Sequence, residues 1–413
     1  MSEELIHVLG QRPACTGSGM YLQACYREAD RREYDQKVVA AAQQGSGRSD
    51  CEDFKDDFLP VEFMSEGLSF PIFGMSDNMP YRSRTYASMS AGEKELVLDA
   101  YLDRIEKAAA DMDEPVILCH HLWLVTSAAA RRFEEYRVIG ISHGTGLRQL
   151  QKNPRFADEV REGVAHLDKI FALNRHQQRL IAEKLDYDRD EVVLTGLGYS
   201  PSSFFFPSED ELEKRRRRDG NEIAYVGKLS RSKGVHSLLR ACDNLRRDDV
   251  KLTLIGSGQG RERDEIEKLA DEVSCSVEMT GLLPQDEVGR RLRRADLFCL
   301  PSFYEGFALV LLEALACGLR VVSSDIPGVA RYLPDIIEES GAVEFVELPP
   351  MKDVDVPDEE ELAGYERRLS TSLSRQLEQT GDLNFLEDEK YRQVVKSLSW
   401  SGVFERLEQH FAE

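Results

Sequence analysis

The sequence has few features of a disulfide-stabilised, zinc-binding or membrane-spanning protein. Its eight cysteines are scattered between Cys15 and Cys317, form no CxxC pair and in several cases lie in apolar runs. This pattern is typical of reduced structural thiols and predicts a cytoplasmic protein without a disulfide or zinc framework. No run reaches the roughly 20 apolar residues of a transmembrane helix. The acidic start, MSEELIHVLG, is not expected to be a secretory signal.

An excess of positive charge is also absent. The chain has 75 acidic and 53 basic residues, a formal net charge of −22. Because nucleic-acid-binding domains are usually basic on at least one face, we expect no nucleic-acid partner. One basic run, KRRRR at 214–218, stands out. We interpret it as a solvated linker, with peripheral contact to an anionic membrane surface as the alternative.

The patterns of a catalytic metal site and of a dinucleotide cofactor are missing as well. Asp-x-Asp occurs at 111–113, 186–188 and 353–355, but in no case directly after an apolar strand. The stretch GSGQG at 256–260 does not satisfy the GxGxxG spacing of a nicotinamide site. We therefore predict neither a metal nor a cofactor.

What the sequence does have is a regular alternation of short apolar strands and amphipathic helices. Its 413 residues suit two domains. The strand candidates are 5–10, 37–42, 115–121, 137–144, 169–174 and 191–198 in the first half, and 222–228, 251–256, 276–281, 296–301, 320–325 and 342–348 in the second. This alternation predicts parallel sheets wound with crossover helices.

The alternation stops between 199 and 220, where proline, serine and charged residues replace the periodic pattern. We therefore predict a first domain at 1–199, a linker at 200–220, a second domain at 221–387 and a helical C-terminal segment at 388–413 that crosses back to the first domain. Two such domains imply a ligand cleft lined by the C-terminal ends of strands. Residues 45–90 fit poorly and predict a long loop, a lid or an acceptor element.

A strongly apolar stretch, SFYEGFALVLLEALACGLRVVSSDIPG at 302–328, contains two glutamates eight positions apart, Glu305 and Glu313. If a helix begins near Phe307, its first amides lack intrahelical partners and suit an anion. Glu313 then lies in the second turn among leucines, where its carboxylate needs a partner to offset desolvation. Sugar or ribose hydroxyls are one such partner, and an arginine of the same domain is the alternative.

This stretch resembles the glutamate–seven residues–glutamate motif of the retaining GT-B glycosyltransferases in glycosyltransferase family four. That large family includes sucrose and glycogen synthases and lipid mannosyltransferases. The resemblance implies an α/β GT-B fold of two Rossmann-like, doubly wound parallel-sheet domains, with the donor bound mainly by the second and the acceptor by the first. It also implies that Glu313 holds the nucleotide ribose and that Glu305 contacts hydroxyls of the donor sugar, while the amides between them contact sugar and diphosphate.

Other stretches agree with this resemblance. AYVGKLSRSKG at 224–234 places Lys228 and Lys233 around a strand end, where two cations can reach a diphosphate; the alternative is a pair of surface lysines. The resemblance further implies that a glycine loop at 17–19 and His143 approach the donor, although a plain strand–helix turn and a structural histidine are the alternatives. The predicted catalytic residues are His143, Lys228, Lys233 and Glu305; the predicted donor-binding residues are Gly17, Ser18, Gly19, Thr280, Gly281, Gly306, Phe307, Ala308, Leu309 and Glu313.

The function that the resemblance implies is transfer of a hexosyl unit, with retention of configuration and without a metal. The donor is a nucleoside-diphosphate sugar, and the acceptor is a hydroxyl of a carbohydrate, a lipid-linked molecule or a small molecule. A sugar-nucleotide epimerase or a phosphorylase of the same fold is an alternative. A sugar-nucleotide sensor without turnover is another. The donor base and sugar, the acceptor and the oligomeric state are left open.

Overall fold

The structure is a computed structural model that describes residues 4–14, 16–43, 54–77, 79–305, 308–326, 333–353 and 355–412. The chain divides into two compact units. Unit 1 comprises Met1–Leu197 and Val403–Glu413, and unit 2 comprises Gly198–Gly402.

The described part of unit 1 contains a seven-stranded sheet in which every strand pair is parallel. Its strand order is β3-β2-β1-β6-β7-β8-β9. The strands of the unit are β1 Glu4–Leu9, β2 Asp35–Gln43, β3 Phe58–Phe63, β4 Phe73–Gly74, β5 Arg84–Thr85, β6 Val116–His120, β7 Arg137–Ser142, β8 Lys169–Ala172 and β9 Val192–Leu194. All five residues of β6 are buried, as expected for a strand covered on both faces.

The helices of unit 1 follow these strands along the chain. They are α1 Gly17–Asp30, α2 Ala91–Ala109, α3 Leu124–Arg132, α4 Thr145–Lys152, α5 Ala157–Val164 and α6 Arg175–Leu185. The start of α2 is set by a capping box, in which Ser90 and Glu93 each bond to the other's backbone N–H.

The described part of unit 2 contains a six-stranded parallel sheet with the order β12-β11-β10-β13-β14-β15. Its strands are β10 Asn221–Val226, β11 Val250–Ile255, β12 Ser276–Gly281, β13 Leu297–Leu300, β14 Arg320–Ser324 and β15 Val343–Val346, and a small antiparallel pair is formed by β16 Met351–Asp353 and β17 Val356–Pro357. Its helices are α7 Glu209–Arg216, α8 Val235–Asn244, α9 Gly260–Glu272, α10 Gln285–Arg294, α11 Leu309–Ala316, α12 Asp335–Glu339, α13 Leu362–Glu378, α14 Asn384–Glu387, α15 Glu389–Ser397 and α16 Trp400–Glu408, the last of which ends in unit 1.

Each sheet has one position where the strand order reverses. In unit 1 the reversal lies between β1 and β6, and in unit 2 it lies between β10 and β13. The loops that leave these neighbouring strands run to opposite sides and open a crevice at the carboxyl edge of the sheet. These two positions are therefore where a ligand site is expected in each unit.

The predicted α/β architecture with two parallel sheets is confirmed, but several local features differ from the prediction. Strand β3 lies inside the 45–90 region that we interpreted as loop, and it pairs with β2 as the edge of the sheet. Residues 200–220, interpreted as a linker, belong to unit 2 and contain α7. The chain returns to unit 1 at Val403, and the Tyr34 hydroxyl there donates to Glu408 Oε1 at 2.9 Å.

The basic run at 214–218 is only partly solvated: Lys214, Arg216 and Arg217 are exposed, Arg218 is partly buried and Arg215 is buried. Arg215 is buried, and its guanidinium donates to the carbonyl oxygens of Ala295 at 3.1 Å and Gly318 at 3.2 Å. Arg218 pairs with Asp296. Tertiary contacts hold these cations in place, because buried carbonyls and a carboxylate need donors.

The described cysteines and helices give two further results. Cys25, Cys119, Cys242, Cys275, Cys299 and Cys317 are buried free thiols. No helix in the described ranges is both long enough and apolar enough to cross a membrane.

Candidate functional site

The crevice of unit 2 is formed by two loops in close contact, the loop after β10 and the loop after β13. The Phe303 N–H donates to the Ser232 carbonyl at 3.0 Å. Gly234 has a φ of +67°, and a Cβ at this position would lie 1.9 Å from the Pro301 carbonyl oxygen. A residue with a side chain is therefore excluded at 234, and the loops approach each other backbone to backbone.

This approach brings together two of the predicted catalytic residues. Lys233 Nζ lies 2.8 Å from Glu305 Oε2, and the Ser302 hydroxyl donates to Glu305 Oε1 at 2.6 Å. The side chain of Glu305 is 13% exposed and that of Lys233 is 27% exposed, while Ser302 is fully buried. Both carboxylate oxygens are thus engaged, so the position of the Glu305 side chain is well defined.

Glu313 lies on α11 and has no comparable partner. Its carboxylate makes no hydrogen bond or ion pair with a described side chain or backbone group, although the side chain is only partly exposed. Burial raises the pKa of Glu313 to about 7. The alternative of a salt bridge to an arginine is therefore not found within the described residues. A carboxylate left in this state is one that a ligand hydroxyl can stabilise.

Helix α11 begins two residues later than the sequence predicted. Its first residue is Leu309, and the buried Ala308 is its N-cap. Gly306 and Phe307, predicted to contact the donor, lie outside the described residues. The loop after β13 thus leads from Glu305 to a helix whose second turn holds Glu313.

The remaining predicted residues of unit 2 lie at the same edge of the sheet, Lys228 in the loop after β10 and Thr280 and Gly281 at the end of β12. Lys228 is exposed and, unlike Lys233, its Nζ contacts no carboxylate in the described part of the chain. The Thr280 hydroxyl donates to the Gly281 carbonyl at 3.0 Å, and the same carbonyl accepts from the Gly256 N–H at 2.9 Å. This edge therefore presents a free ammonium, a lysine–glutamate pair and polar backbone.

In unit 1 the predicted glycine loop is a tightly bonded start of α1. Gln11 Nε2 donates to Thr16 Oγ1 at 3.0 Å and to the Ser18 hydroxyl. A Cβ on Gly19 would lie 2.1 Å from the Pro13 carbonyl oxygen, whereas a Cβ on Gly17 would meet nothing within 4 Å. Gly19 is therefore explained by packing of the loop on the helix, and Gly17 is the one of the two that faces open space.

His143 is part of a cluster of aromatic rings at the carboxyl edge of the first sheet. Its Nε2 lies 3.0 Å from His120 Nδ1, and the two rings are stacked with centroids 5.3 Å apart. Tyr21 contacts His143 edge-on at a centroid distance of 5.0 Å. Burial holds the pKa of His120 and of His143 well below the ordinary range, so both rings are neutral at pH 7.

Three polar residues of the two crevices were not among the residues predicted from the sequence. His120 is the last residue of β6, and His121 follows it directly. Ser302 lies in the loop after β13. The signal for the histidines was present, because two polar rings after a fully buried strand reach the carboxyl edge of a parallel sheet. Nothing local marked Ser302, since its role depends on the position of the Glu305 side chain. No group of three or more possible ligands for a metal ion is found in the part of the chain that the structure describes.

Comparison with known proteins agrees with this geometry. Residues 208–343 match the family model of glycosyl transferases group 1. The glycogen synthase of Mycobacterium tuberculosis is 29% identical over 238 residues, 55% of this chain and 56% of that protein. The D-inositol 3-phosphate glycosyltransferase of Paenarthrobacter aurescens is 29% identical over 156 residues, 36% of this chain and 38% of that protein. The matches thus span little more than half of these relatives at most.

The solved structure of Alr3699/HepE from Anabaena, in complex with UDP, covers 98% of each chain with a TM-score of 0.64 and 14% identity. A likeness at this identity shows the fold, which is GT-B. The residues matched by the family model include Lys228, Lys233, Glu305 and Glu313. The resemblance that the glutamate motif carried is confirmed: residues 208–343 match the glycosyl transferases group 1 family, in a chain with the GT-B fold.

Proposed function

We propose that this protein transfers a hexosyl unit from a nucleoside-diphosphate sugar to a hydroxyl acceptor, with retention of configuration and without a divalent metal. The observation that carries the proposal is the arrangement at the crevice of unit 2. Glu305 and Glu313 belong to the loop and helix after β13, and Lys233 belongs to the neighbouring loop. Lys233 pairs with Glu305, while Glu313 has no partner among the described residues. These groups match the parts of a sugar nucleotide: hydroxyls for carboxylates and a diphosphate for lysines.

Glu313 is assigned to the nucleotide ribose. An ionised carboxylate accepts hydrogen bonds from two adjacent hydroxyls, and such bonds offset the desolvation of its charge. Binding would therefore favour the ionised form and lower the pKa of Glu313 from the value of about 7 that burial produces. The UDP bound by Alr3699/HepE supports a nucleoside diphosphate as the ligand of this fold.

Lys233 and Glu305 are assigned to the diphosphate and to the donor sugar. A diphosphate competes with Glu305 for the Lys233 ammonium, which now lies 2.8 Å from the carboxylate. Once Lys233 turns to the diphosphate, Glu305 Oε2 becomes free to accept a sugar hydroxyl. Ser302 keeps the other oxygen in place. Charge grows on the diphosphate as the glycosidic bond breaks, so Lys233 stabilises the transition state more than the ground state.

The chemical step is assigned to the substrates themselves. The acceptor hydroxyl attacks the anomeric carbon of the donor sugar on the same face from which the diphosphate departs, and the diphosphate takes the proton of the hydroxyl. The new glycosidic bond then has the configuration of the bond that breaks. The lysines supply positive charge at the leaving group, which is the role that a divalent cation has in other transferases. The roles toward the donor that the resemblance implies for His143 and for Gly17–Gly19 stay predictions, as does the cytoplasmic location.

An assay of nucleoside-diphosphate release tests this proposal. UDP-glucose, ADP-glucose and GDP-mannose are each incubated with the protein, with and without hydroxyl acceptors and with and without EDTA. We expect an acceptor to accelerate release, EDTA to have no effect, and NMR of the product to show the anomeric configuration of the donor. An epimerase would form an isomeric sugar nucleotide without a glycoside, and a sensor would bind without turnover. An inverted product, or activity lost in EDTA and restored by manganese, contradicts the proposal.

A further inference from the structure

A second crevice, in unit 1, is lined by residues to which the proposed function assigns no role. It is a small cleft with room for about one water-sized group. Its lining residues are Gly10, Met75, Tyr86, His120, His121, Trp123, Val125 and Thr126. Gly10 follows β1 and the histidines end or follow β6, so the cleft lies where the strand order reverses. A ligand is expected at this place in a parallel sheet.

The two histidines of the cleft are each held through one ring nitrogen. His120 Nδ1 lies 3.0 Å from His143 Nε2, and His121 Nδ1 lies 2.9 Å from Thr145 Oγ1. The other nitrogen of each ring, Nε2, is buried and has no hydrogen-bond partner in the described ranges. Two buried polar atoms without partners are costly in a folded protein unless a ligand or water satisfies them.

The backbone of His121 is also held in an uncommon conformation. Its φ is +76°, a region that residues other than glycine seldom adopt. Its N–H donates to the Ile141 carbonyl at 2.9 Å, and its carbonyl accepts from the Thr126 hydroxyl and the Trp123 N–H. These bonds hold the backbone of His121 in the strained conformation, which is typical of residues at ligand sites.

The cleft offers no charge to a ligand. None of its eight described lining residues is an acid, a lysine or an arginine, and burial lowers the pKa of His121 to about 3, so its ring is neutral. Two arginines near lining residues have partners other than a ligand. Arg12 lies 5.3 Å from the ring centroid of Tyr81, and Arg155 donates to the Tyr86 carbonyl at 2.8 Å.

We propose that this cleft binds a hydroxyl of the acceptor and that the acceptor is an uncharged carbohydrate, not a phosphorylated sugar or polyol. The inference rests on the proposed function, because it names the second substrate of the same transfer. A hydroxyl both donates and accepts, so it satisfies a neutral imidazole in either tautomer. A phosphate group is mainly an acceptor and needs cations or several N–H donors, whereas these two neutral rings supply no charge and at most two N–H donors.

The first experiment uses the unchanged protein and matched acceptors. Initial rates of nucleoside-diphosphate release are measured at saturating donor with glucose against glucose 6-phosphate, and with myo-inositol against an inositol phosphate. We expect the uncharged member of the active pair to have a KM at least about tenfold lower. A phosphorylated member with an equal or lower KM overturns the inference.

The second experiment changes His121. His121→Asn removes the imidazole ring and introduces a residue that tolerates a positive φ. We expect it to raise the acceptor KM about tenfold with the donor KM unchanged. Thr145→Val, which removes the partner of His121, should raise the acceptor KM less. The control is His166→Asn, because His166 is an exposed residue of the same unit that pairs with Glu134. An acceptor KM that is the same in the parent and in the folded His121→Asn and Thr145→Val variants overturns the inference.

The two proposals fail in different ways. Titration with UDP, ADP and GDP reports on the donor site alone. If the protein binds a nucleoside diphosphate but transfers sugar only to phosphorylated acceptors, the proposed function stands and the inference of an uncharged acceptor is overturned. A protein that binds none of the three and releases no nucleoside diphosphate overturns both.

Discussion

Lys233 and Glu305 form an ion pair in which Nζ lies 2.8 Å from Oε2, and the two residues belong to loops that follow neighbouring strands of the second sheet. The pair is coupled to the buried Ser302 through the second carboxylate oxygen. A change in any one of these three residues therefore alters the electrostatic surroundings or the position of the other two.

Lys233→Ala should weaken binding of the nucleoside diphosphate about tenfold and lower kcat by roughly a further hundredfold. The reason is that the diphosphate gains charge as the bond breaks, so the loss is greater in the transition state. Isothermal titration and steady-state kinetics measure the two effects. Lys251→Ala is the matched control, because Lys251 pairs with Glu278 at a partly exposed position of the same unit. Equal losses in the two variants would contradict the role of Lys233.

Glu305→Gln should affect binding of the complete sugar nucleotide and of the nucleoside diphosphate differently. The variant keeps the shape of the side chain but frees Lys233 from its ion pair, so we expect the nucleoside diphosphate to bind as tightly as to the parent, or more tightly. Affinity for the complete sugar nucleotide or kcat should fall about tenfold or more, since a charge-assisted bond to a sugar hydroxyl is lost. Titrations of the parent and the variant with the nucleoside diphosphate and with the complete sugar nucleotide measure the two affinities. A parallel loss for both ligands would assign Glu305 to the diphosphate instead.

Glu313→Gln should weaken the nucleoside diphosphate and the full donor to a similar degree. Loss of charge-assisted bonds to the ribose is worth roughly 1.5–3 kcal/mol, which is about tenfold or more in affinity. The same titrations measure it, with Glu339→Gln as a control at an exposed position of α12. If Glu313→Gln remains folded and binds the diphosphate as tightly as the parent, the ribose assignment is wrong.

The stability of the protein without ligand should depend on pH through Glu313. Its pKa in the folded chain is raised to about 7 from an ordinary value of 4.5, so folding favours the protonated form. As pH rises from about 4.5 to 7, the unfolded chain loses this proton first and the free energy of unfolding falls, by at most about 3 kcal/mol. Glu313→Gln removes this loss. In urea denaturation, the free energy of unfolding of the variant minus that of the parent should therefore be larger at pH 8 than at pH 5. A difference that is the same at both pH values would contradict the pKa assignment.

Most of the sheet could be predicted from the sequence, because buried parallel strands are short apolar runs that alternate with amphipathic helices. Strand β3 escaped detection since FLPVEF contains a proline and an acid, which are acceptable at the edge of a sheet. The basic run at 214–218 departs from its interpretation at Arg215 and Arg218, for the opposite reason. Local composition indicates solvent, whereas Arg215 is buried against carbonyls distant in the chain.

The candidate site divides in the same way. Glu305 and Glu313 could be found in the sequence, because carboxylates in a strongly apolar stretch require a chemical reason and their spacing resembles a family motif. The contact of Lys233 with Glu305, the support from Ser302 and the pairing of His120 with His143 could not be found there. The Lys233–Glu305 and His120–His143 contacts join residues that the strand order brings together, and strand order is set by the packing of whole sheets. The Ser302 bond to Glu305, three residues away, depends instead on the conformation of one loop. The sequence by itself determined which side chains this protein can use; the tertiary structure decided which of them meet, because contacts between loops depend on which strands are neighbours and not on distance along the chain.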